Sequence, residues 1–179
     1  MRPVGLILLL LLVGCSNKPL PHFEEVPDFT LTSETGSIFD RASLKGQVWV
    51  ADFIFTNCEG PCPRMTSLMY RMQKLTAKVK FVSFSVDPAR DTPAAFAAYA
   101  KKFKADPARW SFLTGDTAEL NRLAHDVFKL SSVGTGMDHS TRFVLVDKNG
   151  RIRGYYGISD GDPVSRIAHD AERLQKEPA

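Results

Sequence analysis

The chain has 179 residues, 44% of them hydrophobic, and a formal charge of +3 at pH 7. That length suits one domain plus a short appendage, and that composition fills an ordinary core without help from disulfides. Its basic residues are scattered and form no aromatic-interleaved patch, which gives nucleic-acid binding no support.

The N-terminus reads as a signal. Arg2 is the charged lead, and Val4 to Val13 is an apolar run interrupted only by Gly5, too short for a transmembrane helix. It ends in Leu12-Val13-Gly14-Cys15, which resembles the bacterial lipoprotein signal. Residues 1–14 are therefore expected to be a signal peptide and Cys15 the lipid-modified residue; the alternative is an ordinary secretory signal with a chance cysteine. Three cysteines would leave one unpaired in an oxidising compartment, and lipidating Cys15 leaves Cys58 and Cys62. Two acyl chains on one residue supply the double signal that stable anchoring needs. The expected address is the bacterial cell envelope, membrane-anchored and facing the periplasm or exterior. Ser16 follows the cysteine, with no Asp there to indicate one membrane over another. Residues 15–27 read as a lipidated N-terminus and polar tether, and 28–179 as the folded domain.

Along the domain, Phe29 to Thr32 alternates apolar and polar, Glu34-Thr35-Gly36 turns, and Ser37 to Phe39 returns. An apolar, β-rich strand from Val48 to Phe55 follows. After Cys62 the period becomes helical, with Met65, Leu68, Met69, Met72 and Leu75 on one face and Pro63 in the first turn. Val79 to Val86 is a strand. Asp91 or Thr92 caps the next helix, whose inward face is Phe96, Tyr99, Ala100 and Phe103. Trp110 to Leu113 is a short strand, and Asp116 or Thr117 opens a helix carrying Leu120, Leu123, Ala124, Val127 and Phe128. A loop with Gly134 and Gly136 leads to His139 and the strand Arg142 to Asp147. Lys148-Asn149-Gly150 turns it into a return strand, Ile152 to Tyr156, and Asp162-Pro163 starts a last helix. There are no repeats. Strands alternating with helices, closed by a hairpin, predict a single α/β sandwich of the thioredoxin kind, with a central mixed sheet and flanking helices.

The stretch Phe53 to Pro63 organises the chemistry. It delivers Cys58 and Cys62 at a strand-to-helix junction, four positions apart, close enough to join as a disulfide or to grip one ion. Positive partial charge and unpaired N–H groups at a helix N-terminus favour the thiolate, which is both nucleophile and metal ligand. A structural cysteine pair is the competing reading. His139 precedes a core strand, and by analogy with thioredoxin-like folds that segment passes beside the cysteines. A soft set of Cys58, Cys62 and His139 would suit copper, because thiolates favour Cu(I) and imidazole also accepts Cu(II). A closed zinc site would want a fourth protein ligand, and none is evident. His22, His125 and His169 read as surface residues, and Met65, Met69 and Met72 as core before copper stripe. Asp87, at the end of a strand, reads equally as a turn residue or as a support to the site.

Phe55-Thr56-Asn57-Cys58-Glu59-Gly60-Pro61-Cys62-Pro63, Ser85 to Pro93, Trp110 to Gly115 and Asp138-His139-Ser140, in that order, resemble the Sco/SenC family from about Phe29 to the last helix. The resemblance implies a thioredoxin-like fold, copper held by Cys58, Cys62 and His139, and help in building the dinuclear copper centre of cytochrome c oxidase. It implies as partners a copper donor and a copper-accepting oxidase subunit or another periplasmic copper protein. Two departures stand out: a lipid in place of the transmembrane helix of many relatives, and a loop before His139 shorter than in the mitochondrial ones.

Three functions compete. The first is a copper-binding assembly factor, not a classical enzyme. The second is a thiol–disulfide reductase using Cys58 and Cys62 as its redox pair. The third, ranked last, is a peroxiredoxin-type peroxidase, for which Thr56 before Cys58 is a faint echo of the active-site pattern.

Overall fold

The computed structural model describes residues 18–130 and 141–178. The expected signal peptide, Cys15 and His139 lie outside the described residues. Seven strands form one sheet: β1 (Thr30–Ser33), β2 (Ile38–Asp40), β3 (Trp49–Ile54), β4 (Lys80–Ser85), β5 (Trp110–Thr114), β6 (Arg142–Val146) and β7 (Ile152–Gly157), in the order β2-β1-β5-β4-β3-β6-β7. The helices are α1 (Cys62–Leu75), α2 (Pro93–Lys102), α3 (Thr117–Asn121) and α4 (Pro163–Lys176). The arrangement is the expected thioredoxin-like sandwich.

Strands β3, β4 and β5 are parallel neighbours, with Asp52 opposite Ser83 and Ser83 opposite Phe112. Strand β6 is antiparallel to β3, and β7 to β6. The carboxyl ends of β3, β4 and β5 therefore share one end of the sheet with Arg142 and Gly157. We call this the cysteine end and the opposite end the base.

The alternation of β3 explains why every one of its residues is buried. Val50 and Ile54 enter the core beneath α1, α2 and α4, whereas Trp49, Ala51 and Phe53 enter the second core on the other face. A strand covered on both faces is apolar throughout except where chemistry or a hydrogen bond intervenes. Asp52 falls by the same alternation on the α1 face.

Thr92, Asp116 and Asp162 each accept a backbone N–H in the first turn of α2, α3 and α4, and Pro93 and Pro163 begin two of those helices. On α1 the methionines are wholly buried, as core residues, but Leu75 is 62% exposed. Gln73 closes the stripe instead, donating to the Lys104 carbonyl at 3.3 Å and accepting from the Asp106 N–H at 2.8 Å. The helix expected through Phe128 also changes character. It is α-helical only to Asn121, and Arg122–Val127 forms a wider π-turn that keeps Leu123, Ala124, Val127 and Phe128 inward.

From Lys18 on, the stretch expected to be a tether lies on the domain. The Phe23 N–H donates to Ile152 O (2.9 Å), Ile152 N–H to Glu24 O (3.1 Å) and Val26 N–H to Gly150 O (2.8 Å), and Val26 is fully buried. Arg153 Nε donates to the Pro21 carbonyl at 2.7 Å.

Candidate metal and thiol site

Cys58 sits in the loop after β3, and Cys62 is the first residue of α1. Pro61, with φ −75° and ψ −23°, occupies the cap position, and no side-chain hydrogen bond caps the helix there. Both residues are thiols and both are buried, Cys58 8% and Cys62 1% exposed. The two side chains are near enough for Cys58 to act on the Cys62 thiol. The structure thus brings together the two cysteines that the sequence singled out.

The protonation state differs from expectation. Burial pushes the Cys62 thiol well above its ordinary range, and the Cys58 side chain pushes it further; a backbone hydrogen bond at Phe55 works the other way, and the charges of Cys58 and Asp52 add to the rise. Desolvation therefore outweighs the helix N-terminus, and the metal-free pair is held protonated at Cys62.

Two carboxylates shape this site, and neither was singled out from the sequence. Asp91, only 1% exposed, reaches back to the cysteine loop. One of its oxygens accepts from the Thr56 N–H at 2.9 Å and the Thr56 hydroxyl at 2.7 Å; the other accepts from the Ser85 hydroxyl at 2.6 Å. It pins the loop that carries Cys58 to the end of β4. Asp87 instead pairs with Arg90, and its N–H donates to Ser85 Oγ at 3.0 Å. Its carboxylate belongs to the turn.

Asp52 is fully buried on the layer that holds the thiols, and no hydrogen bond of ordinary geometry reaches either of its oxygens. Burial raises its pKa to about 7, and the neighbouring Ser83 hydroxyl offsets part of the rise. Ser83 Oγ is already engaged as acceptor from Trp110 Nε1 at 2.9 Å. The Asp52 charge is felt at both Cys62 and Tyr99. Tyr99 is itself tied to α1: its hydroxyl lies 3.0 Å from that of Thr66, which donates to the Cys62 carbonyl at 2.9 Å.

Among the described residues, no group of three or more His, Cys, Asp or Glu is placed to hold a metal ion. His139 is outside them, but Thr141 and Arg142 lie at the cysteine end, where the Thr141 carbonyl accepts from the Ile158 N–H at 2.9 Å. His125 and His169 are exposed and each pairs with its neighbouring aspartate. His22 is exposed as well.

The protein-family model described as SCO1/SenC matches residues 17–176. The chain belongs to the SCO1/SenC family. Among solved Sco structures it resembles a SCO1/SenC family lipoprotein from Bacillus anthracis str. Ames, with 37% identity over 85% of this chain and 95% of that one and a TM-score of 0.79. BsSco, a member of the Sco family of cytochrome c oxidase assembly proteins in which a disulfide switch was identified, shares 34% identity over 90% of this chain and 98% of its own, with a TM-score of 0.79. The copper-bound structure of Bradyrhizobium japonicum ScoI shares 28% identity over 84% and 99% of the two chains, with a TM-score of 0.66.

Proposed function

We propose that this Sco protein is a lipid-anchored copper carrier of the cell envelope that binds copper through Cys58, Cys62 and His139 and delivers it to a copper-accepting subunit of cytochrome c oxidase. The observation that carries the reading is the pair of buried, free thiols at the entrance of α1. Two thiolates form a soft donor set matched to Cu(I), and an added imidazole extends it to Cu(II). His139 is three residues before Arg142, within about 10 Å of chain from the cysteine end. Copper-bound ScoI and the oxidase-assembly role of BsSco support the same cargo and client class. The Bacillus anthracis lipoprotein supports an anchor at Cys15.

Loading and release follow from the protonation state. Cys62 is held as the thiol by burial, so an arriving copper ion displaces a proton, and release is helped by the proton's return. Asp91, through Thr56, keeps Cys58 at the mouth of the α1 entrance while this happens. The test is titration of the reduced protein with Cu(I) and Cu(II). One equivalent should bind, and His139→Ala should weaken binding by at least about tenfold; unchanged affinity in that variant rules out the proposed ligand set.

A second reading, a thiol–disulfide reductase, is favoured by the buried Asp52 beside the same pair. In that reaction the Cys58 thiolate attacks a client disulfide and forms a mixed disulfide. Cys62 then attacks Cys58 and releases the client dithiol. Two electrons pass to the client, and an external thiol reductant must restore the pair. A reduction potential near that of strong oxidants would exclude it.

A further inference from the structure

The lysines of the domain are unevenly distributed between its two ends, while arginines such as Arg90 and Arg142 stand at the cysteine end. The loops at the cysteine end (55–63, 86–92, 115–117 and 157–163) contain no lysine and include Glu59, Asp87, Asp116, Asp160 and Asp162. The base carries most of the lysines beside a few acids, Asp106, Asp147 and Glu177, which are paired with Arg109 and Arg153. Because β3, β4 and β5 are parallel, helices α1 and α2 that connect them both end at the base. Helix α4 ends there too, since Lys148 Nζ donates to the Gln175 and Glu177 carbonyls at 2.8 Å and Gln175 Nε2 to the Lys78 carbonyl at 3.3 Å. Those three helix ends present Lys74, Lys78, Lys101, Lys102, Lys104 and Lys176, all exposed. Leu75, 62% exposed, stands among them.

The chain also enters the domain at the base. The Lys18 carbonyl accepts from Arg173 in the last turn of α4, and residues 23–26 pair with the start of β7. Lys18 lies three positions after Cys15, a reach of about 10 Å when fully extended. A lipid on Cys15 would therefore bring this end of the domain to within a Debye length of the bilayer, where lysines are drawn to anionic headgroups.

We infer that the base is a membrane-docking face that seats its lysines and Leu75 on anionic phospholipid headgroups and turns the cysteine end away from the bilayer. The inference rests on the proposed lipid anchor and adds to it an orientation. Strand β3 spans six residues, so the thiols stand about 20 Å or more above the headgroups. A client must present its copper site at that height. The alternative role for these lysines, neutralising the negative ends of three helices, needs no membrane.

The experiment uses the full chain extracted from membranes and placed in vesicles of equal parts phosphatidylglycerol and phosphatidylcholine, or of phosphatidylcholine alone. Lysines are acetylated at trace level and read by mass spectrometry, and Arg90 at the cysteine end is labelled with phenylglyoxal as a control. In the anionic vesicles Lys74, Lys78 and Lys176 should label about fivefold more slowly than in the neutral ones, and high salt should remove the difference while Arg90 stays unchanged. A Lys101→Glu, Lys102→Glu variant that melts normally should lose the protection at Lys78. Equal labelling in both vesicles, on chains whose Cys15 carries lipid by mass, overturns the face and leaves the anchor standing. Cys15 without lipid in the same spectra removes the anchor and the face with it.

Discussion

Asp147, just after β6, and Asp52, inside β3, are both buried carboxylates, and the fold treats them in opposite ways. Asp147 accepts from the Asn149 and Arg151 N–H groups at 2.9 and 3.0 Å and from Arg153 Nη1 at 2.9 Å. Arg153 in turn holds Glu177 at 2.6 Å and the carbonyls of Pro21 and Leu20, so one buried cation ties the segment entering the domain and the end of α4 to the base. Asp52 has no such partner on either oxygen. Among the described residues, no buried side-chain polar atom at the base lacks a hydrogen-bond partner. The layer under the cysteines carries an unanswered acid, a cost that a purely structural site would shed by replacing it with an apolar residue.

Breaking the answered end should cost most. Arg153→Ala leaves Asp147 buried without its cation and releases the Leu20 and Pro21 carbonyls, and should destabilise the domain by about 3–5 kcal/mol in denaturant unfolding. A loss below about 1 kcal/mol would mean that the clamp contributes little.

The unanswered acid should show itself through pH. A carboxyl with folded pKa raised from 3.8 to about 7 binds its proton more tightly when folded, so its penalty is absent well below 3.8, grows as pH rises and is complete above about 7. Between pH 4.5 and 7.5 the reduced, metal-free protein should lose about 3 kcal/mol of stability through this group. Asp52→Asn should flatten that part of the profile. Parallel pH profiles for the two proteins would show that Asp52 is ionised at ordinary carboxylate pH.

Smaller effects are expected where the cysteine loop is pinned. Thr56→Val removes the hydroxyl bond to Asp91 and leaves the backbone one, so stability should fall by about 1–2 kcal/mol. The copper dissociation rate should rise with it, because Cys58 follows two residues later. Smallest of all is His125→Ala. Its ring is 65% exposed and pairs with Asp126 at the surface, so stability and copper affinity should both stay within about 0.5 kcal/mol of the parent.

The parts of the molecule legible in the sequence are those encoded by short-range period. The alternation of Trp49–Ile54, the methionine stripe of α1 and the Asp–Pro and Thr–Pro helix starts each act over a few residues. The strand-to-helix junction placed the two cysteines correctly for the same reason. Long-range partners were not legible. Asp91 meets Thr56 across 35 positions and Arg153 meets Pro21 across 132, so the sequence marks Asp91 only as a candidate helix cap, leaves Asp87 as the aspartate weighed for the site, and reads a docked segment as a tether. Asp52 was visible as a charge in an apolar strand, but its lack of a partner is a property of the packed layer. The thiol of Cys62 was expected to be acidified by the helix N-terminus, and its depth in the core decides the opposite.

The ligand set Cys58, Cys62 and His139 is tested most directly by X-ray absorption at the copper edge on the reduced protein loaded with one equivalent of copper. Two sulfur scatterers and one imidazole nitrogen in the first shell, with the imidazole signal lost in His139→Ala and the sulfur signal lost once Cys58 and Cys62 are joined as a disulfide, is the predicted result. A first shell of nitrogen and oxygen alone, unchanged by that oxidation, would place the copper elsewhere and contradict the account.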